Sequence, residues 1–323
     1  MDSAVFFDLL GVIGILFLIL ACGVVCRKVG VIDDAAAHRL SKLIIWLCQP
    51  MMIVGALISK PFTPELLREG AVYALIGFLL FPLAALFAFP MTHFFSEPDE
   101  QKISRFALIF TNCGFLGFPI LEAIFPGKGA FYGAFFVIGF HVYVWTLGMW
   151  VLSRGRDDIR LTWRKALVNF GTIPCLIGLV LYLSKALLPF ETPALLVSFC
   201  NRLGDLCMPI SILVTGALLA TQSPRVMAKN GRLWLFNAYK LLIIPVLVAL
   251  VAKLVTLGMG DSYRIILFAT TIAALPSAST VTMLSELYDI RPGYAAATVG
   301  TSSLFAAATL PLMYFVGDFI ARL

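Results

Sequence analysis

Charge is scarce in this sequence. Only 13% of its 323 residues are Asp, Glu, Lys or Arg, while 60% are hydrophobic. Soluble domains carry about 25% charged and about 45–50% apolar residues. So few charges cannot coat a chain of this length in water, and the mean hydropathy is +0.96. The composition excludes a soluble globular protein and leaves an integral membrane protein. Histidine is rarer still, at three residues. The seven cysteines (Cys22, Cys26, Cys48, Cys113, Cys175, Cys200 and Cys207) sit inside or at the edges of apolar runs. None forms a CxxC or Cys/His pattern, so no metal site or disulfide framework is expected. A GxxxxGK[ST] phosphate loop is missing, which disfavours ATP-driven transport by this chain. With no HExxH, no GxSxG and no paired membrane aspartates, an intramembrane enzyme has no visible chemistry. The net charge of +6 resides in short loops between apolar runs. Orientation in a lipid bilayer explains it better than a nucleic-acid partner does.

What is present is a succession of long apolar runs. A membrane helix needs about 20 such residues. Ten runs qualify, near 5–26, 38–59, 70–92, 103–125, 130–152, 169–189, 194–220, 232–256, 264–286 and 294–320. The start carries Asp2 and Asp8 and no basic residue before Arg27, so the first run reads as a retained span rather than a signal peptide. One alternate set of loops holds fifteen Lys and Arg, against seven in the other set and the C-terminus. The richer set is expected to face the cytoplasm, with both termini outside and the chain in the cytoplasmic membrane. The densest basic stretch, 153–165, is expected to connect two halves. Residues 1–152 would form the first five-helix repeat, 153–168 the connector and 169–323 the second repeat.

Internal matches support that division. Pro50, Pro82 and Pro119 in runs 2, 3 and 4 pair with Pro209, Pro245 and Pro276 in runs 7, 8 and 9, at offsets of 159, 163 and 157 residues. Five helices is an odd number, so the second copy enters the membrane inverted, as in many secondary transporters. The expected fold is therefore an all-α membrane protein of about ten transmembrane helices in two inverted five-helix repeats.

Two runs carry polar, helix-breaking residues at mid-depth: "TNCGFLGFPI" at 111–120 and "ALPSAST" at 274–280. Proline removes an N–H and clashes with the carbonyl four residues earlier. Pro119 would free the carbonyl of Phe115, and Pro276 that of Ile272. An orphaned carbonyl costs several kcal/mol in lipid, so such breaks survive only against protein or a watered cavity. Two matched interruptions in inverted halves point to a shared binding site. After each break a new half-helix would begin with its positive end at the centre, an arrangement that attracts anions. Candidate substrate ligands are Asn112, the backbone at Gly114, Gly117 and Pro119, then Pro276, Ser277, Ser279 and Thr280. Gln49, before Pro50, is a further neutral group to line the cavity. The ionisable candidates for ion coupling are Asp205 and His141. Each has an alternative reading: Asp205 as an interfacial ion pair with Arg202, and His141 as a neutral core histidine. Glu122 and Glu286 end runs 4 and 9 and read as interfacial. Lys240 in run 8 is expected to snorkel to the cytoplasmic surface.

These residues carry a resemblance. "TNCGFLGFPI" followed by "FPGKGA" resembles the fourth span of the auxin efflux carrier family, and "ALPSASTVTMLSELY" its ninth. The resemblance spans essentially the whole chain. It implies a fold like that of bile-acid/sodium symporters, with helices 4 and 9 broken and crossing at mid-membrane. It also implies alternating-access transport of a small organic anion, a mono- or dicarboxylate such as malonate or malate. Plant members have Asn-Pro-Asn at the first break, whereas this chain has Asn112-Cys113-Gly114, and no asparagine follows Pro276. An auxin-like aromatic carboxylate exporter, or a passive channel on the same scaffold, stands as the alternative. The expected partners are the anion, the lipid bilayer and a coupling ion, H+ or Na+, with no other cofactor; a homodimer is admitted.

Overall fold

The computed structural model describes residues 3–94, 97–156, 169, 171–188, 191–221, 223 and 229–323. Ten helical spans follow in order: Ser3–Lys28, Asp34–Ile58, Pro64–Met91, the pair Pro98–Ile109 and Cys113–Ile124, Gly129–Ser153, Thr172–Leu187, Ala194–Leu219, Gly231–Val255, the pair Ser262–Ala274 and Thr280–Leu287, and Pro292–Arg322. They are called spans 1 to 10. Seven are long and apolar enough to cross a bilayer; spans 4, 6 and 9 contribute the shorter apolar helices Cys113–Ile124, Thr172–Leu187 and Ser262–Ala274. The expected all-α, ten-span architecture is what the chain adopts. Most of the basic connector expected at 153–168 lies outside the described residues.

Helix starts follow local chemistry. Asp33, Thr63 and Asn230 accept N–H bonds from the first turns of spans 2, 3 and 8, satisfying donors a helix start leaves free. Prolines open spans 3 and 10 and the first half of span 4, where the missing N–H costs nothing. Four π-turns interrupt the described helices, at Ile44–Cys48, Cys113–Gly117, Val144–Gly148 and Tyr239–Ile243. In spans 2 and 8 the turn precedes a proline: Gln49 N–H reaches back to Ile44 O, and Ile244 N–H to Tyr239 O. The widened turn re-bonds the backbone just ahead of Pro50 and Pro245.

The spans sort into two bundles, neither of which is a sequence half. Span 1 packs on span 7, and span 2 on spans 6 and 7, forming a panel of spans 1, 2, 6 and 7. Span 3 packs on span 5, and span 9 on spans 8 and 10, forming a core bundle of spans 3, 4, 5, 8, 9 and 10. Glycines show how tightly each bundle is built. In the panel, a Cβ on Gly216 would strike the carbonyl of Leu20, one on Gly23 that of Leu213, and one on Gly204 would lie 2.7 Å from Met52 Cα. In the core bundle, Gly77 abuts the Phe136 carbonyl and Gly139 abuts Gly77 itself. These are backbone-on-backbone contacts of the kind that holds helices together in lipid, where apolar burial gives no net drive.

Across the bundle boundary the glycine contacts are different. Gly114 faces the Gln49 side chain, Gly171 the His141 ring and Gly300 the Leu219 side chain. The salt bridges Arg27–Asp34, Lys128–Glu69, Arg291–Glu100 and Arg232–Glu100 each join spans or loops of one bundle. Buried aromatic rings (Phe81, Phe106, Phe110, Phe136 and Phe268) fill the core bundle. Each bundle is stitched internally by such backbone contacts, whereas these three boundary glycines meet side chains.

Candidate functional site

Spans 4 and 9 break and meet inside the core bundle. Phe110 is extended, with φ −97° and ψ 122°, as is Leu275, with ψ 149°. Thr111 and Ser277 form an antiparallel bridge. Asn112 N–H donates to Pro276 O at 2.8 Å, and Ala278 N–H to Phe110 O at 3.0 Å. The two interruptions thus satisfy each other's main chains, as a pair of short strands would.

The position of the first break corrects the expectation drawn from proline. Span 4 opens at Phe110–Asn112, whereas Pro119 sits beyond it in the helix Phe118–Ile124, accommodated by the π-turn Cys113–Gly117. Pro276 does lie within its break, and the Ile272 carbonyl it frees accepts Leu275 N–H at 3.3 Å. The two prolines are therefore not equivalent. The C-terminal carbonyls of the first half of span 4 are also not aimed into a wet pocket. Phe106 O accepts Phe110 N–H, Ala107 O accepts Ser277 Oγ at 3.0 Å, and Leu108 O accepts Lys240 Nζ at 2.9 Å. Lys240 does not snorkel: its side chain has no exposed surface. A single sequence offers no side-chain clue to this, because the lysine's partner is a backbone carbonyl that the break exposes.

The positive ends of the second halves border a cavity of about 230 Å³ between the bundles. It is lined by Asn112, Gly114 and Thr280 of the crossing, Gln49 of span 2 and His141 of span 5, with Phe115, Phe140, Trp46 and Trp145 as apolar walls. Asn112, Gln49 and His141 are 4%, 6% and 6% exposed. The main-chain oxygen of Asn112 caps the second half of span 4 by accepting Leu116 and Gly117 N–H. Its side-chain Nδ2 makes only a long 3.4 Å contact to Ser279 Oγ, which leaves it available to a ligand. Among the described residues His141 Nε2 has no hydrogen-bond partner. Gln49 reaches over Gly114: a Cβ there would stand 2.9 Å from Gln49 Nε2 and push that amide aside. Gln49 and Asn112 each adjoin a π-turn, and His141 lies one helical turn before a third, a distortion frequent at functional sites. A second cavity of about 160 Å³, lined by Ser279, Ser211 and Thr215, shares Phe115 and Ile45 with the first. Together they lead to exposed His38, Asp34 and Glu286, beside the basic loops after spans 1 and 9.

The other sequence candidates lie elsewhere. Ser277 is fully buried and spent on the crossing, bonding Ala107 O and receiving no space at the cavity wall; its N–H goes to Ser302 Oγ. Gly117 packs on Leu275 and Ile272. Pro119 lines none of these cavities, and Pro276 borders a small apolar one of about 40 Å³ beside spans 1 and 10. Asp205 is exposed at the turn that divides span 7, its N–H bonded to Asn201 O, and it lines none of these cavities. Glu122 clamps the turn after span 4 by accepting Gly127 and Ala130 N–H.

Comparison with known proteins gives a consistent result. The family model described as "Membrane transport protein" matches twice, over residues 10–161 and 156–314. An uncharacterized transporter of Methanocaldococcus jannaschii is 22% identical over 312 residues, 93% of this chain and 96% of its own. A Rhizobium meliloti protein named "Putative malonate transporter" is 24% identical over 288 residues, 86% of each chain.

Proposed function

Because this chain belongs to the membrane transport protein family, to which the auxin efflux carriers belong, we propose that it is a secondary active transporter of a small carboxylate. It is a multi-pass membrane protein, and the finer reading rests on the cavity at the crossing. Two half-helix N-termini, of spans 4 and 9, present amides and positive dipole ends to one small space. Asn112 and Gln49 add neutral donors beside them, so an anion is favoured there without a paired buried acid. The cavity of about 230 Å³ falls below the roughly 300 Å³ at which drug-sized pockets begin. A C3–C4 dicarboxylate, such as malonate or malate, fits within that space. The name of the Rhizobium meliloti relative points the same way.

The two-bundle packing supports alternating access. Backbone-tight contacts inside each bundle resist shear, while the boundary at Gly114–Gln49 and Gly171–His141 slides on side chains. By the charge asymmetry of the loops, the passage past His38 and Glu286 opens to the cytoplasm, and the conformation is inward-facing. His141, buried in the cavity wall with a free ring nitrogen, is the group we assign to proton coupling. Asp205, exposed and outside the cavity lining, is given no role in this reading. The observation that carries the proposal is the antiparallel bridge Thr111–Ser277, which fixes both N-termini at one depth.

The test is uptake of labelled malonate and malate into proteoliposomes with and without an inward proton gradient. Gradient-stimulated, saturable uptake that Asn112→Ala abolishes is the expected result. Gradient-independent, non-saturating flux would indicate a channel. Unchanged uptake by the Asn112→Ala/Ser279→Ala double variant would remove the site assignment.

A further inference from the structure

Lys240 is the most deeply buried charged side chain among the described residues. The other buried charges have side-chain partners: Lys102 pairs with Asp99, Arg105 bonds Thr92 and Asp318 holds Arg322. Among the described residues Lys240 has only the Leu108 carbonyl, at 2.9 Å. That carbonyl belongs to the C-terminal turn of the first half of span 4, the negative end of a helix dipole worth about half a charge. An ammonium without a carboxylate at mid-membrane is expensive, and half a charge compensates it only in part. The titratable group that faces it is the thiol of Cys113, on the first turn of the second half of span 4, next to Asn112. Lys240 therefore stands against the crossing from within the core bundle, and it lines neither of the cavities that Asn112 borders. The inverted repeat does not duplicate it. At the offset that pairs Pro82 with Pro245, the residue matching Lys240 is Gly77, onto which span 5 packs directly.

We infer that Lys240 is the counter-charge of the transported anion. Its ammonium gives the crossing the positive charge that a co-bound sodium ion would otherwise bring, and it sets a preference for doubly over singly charged carboxylates. It acts through the field at the crossing rather than by touching the substrate, and is a positioning residue in that sense. This inference rests on the transport reading above.

The test compares binding of malonate and its monoamide, malonamate, to purified full-length protein by calorimetry. The two probes have the same skeleton and differ by one charge. Wild type is expected to favour malonate, and Lys240→Met to weaken malonate at least tenfold while weakening malonamate less, so that the preference shrinks. Lys240→Arg should keep it. Equal weakening of both probes by Lys240→Met would mean a purely structural lysine and overturn the inference, as would unchanged binding. Should Lys240→Met fail to fold, the wild type still decides: malonate uptake must persist when choline replaces sodium on both sides, and a requirement for sodium overturns the claim. A wild type that binds neither probe and transports neither defeats the carboxylate reading itself. Malonate uptake intact in both wild type and Lys240→Met, with the preference unchanged, defeats only the role of Lys240.

Discussion

Replacing Gly114 by alanine separates binding from folding at this site. The added methyl would stand 2.9 Å from Gln49 Nε2 and 3.9 Å from the amide carbon of Gln49, with no other heavy atom within 4 Å beyond its own helix. The obstacle is the far end of a flexible side chain, so Gln49 swings aside and the backbone stays put. Folding should barely notice. Alanine in place of glycine gains up to about 1 kcal/mol in a helix, which offsets the cost of moving one amide. The melting temperature should then stay within about 4 °C of wild type, given roughly 2–4 °C per kcal/mol in chains of 150–250 residues. Binding should suffer, because the displaced amide no longer reaches the cavity. A hydrogen bond to a charged group contributes about 1.5–3 kcal/mol, and each 1.4 kcal/mol is about tenfold. The expected loss is therefore about 10- to 100-fold in malonate affinity. The assay pairs calorimetric Kd with thermal unfolding for Gly114→Ala, Gln49→Ala and the double variant. Both single variants act through the same amide, so the double variant should be no worse than the worse single, a non-additive cycle. Additive losses, or an unchanged Kd for Gly114→Ala, would refute the argument that Gln49 reaches the ligand across this glycine.

The remaining expectations follow from the same geometry. Gly139→Ala drives a methyl into the backbone of Gly77, 2.5 Å from its carbonyl carbon; neither backbone can give, so it should destabilise by about 1–3 kcal/mol or more, read as a melting temperature lowered in the absence of any ligand. Ser277→Ala leaves the buried Ala107 carbonyl without its 3.0 Å donor; it should cost about 1–3 kcal/mol of stability, with Kd in the surviving folded fraction changing less than tenfold. His141→Gln removes the titrating ring from the cavity wall. If the imidazolium attracts the dianion, binding takes up a proton, so malonate affinity in wild type rises as pH falls and the variant's profile flattens. Asn112→Asp places a carboxylate between the two half-helix N-termini and should abolish carboxylate binding while leaving the protein folded, checked by monodispersity and the melting temperature.

Composition and run length by themselves determined that the chain lives in a membrane, in ten helical passages, because backbone groups in lipid must bond within their own helix. The out-of-place residues at 111–120 and 274–280 also marked where that rule is broken. The tertiary structure alone decided how it is repaired. Pro119 is as strong a local signal as Pro276, yet span 4 opens at Phe110–Asn112, because the segment around Ser277, more than 160 residues away, offers its main chain there. Asn112 and Gln49 were legible as polar groups in apolar runs, but their meeting depends on the sorting of spans into panel and core bundle, which no run length encodes. Ser277 was a plausible ligand on composition, and its hydroxyl went instead to a carbonyl freed by the other break. Lys240 is the clearest case: sequence shows a lysine in an apolar helix and favours the nearest water, whereas the fold offers it a helix end in the middle of the protein. Local sequence fixes which backbone bonds can form within a helix; which groups satisfy the bonds left over is a long-range question that only packing answers.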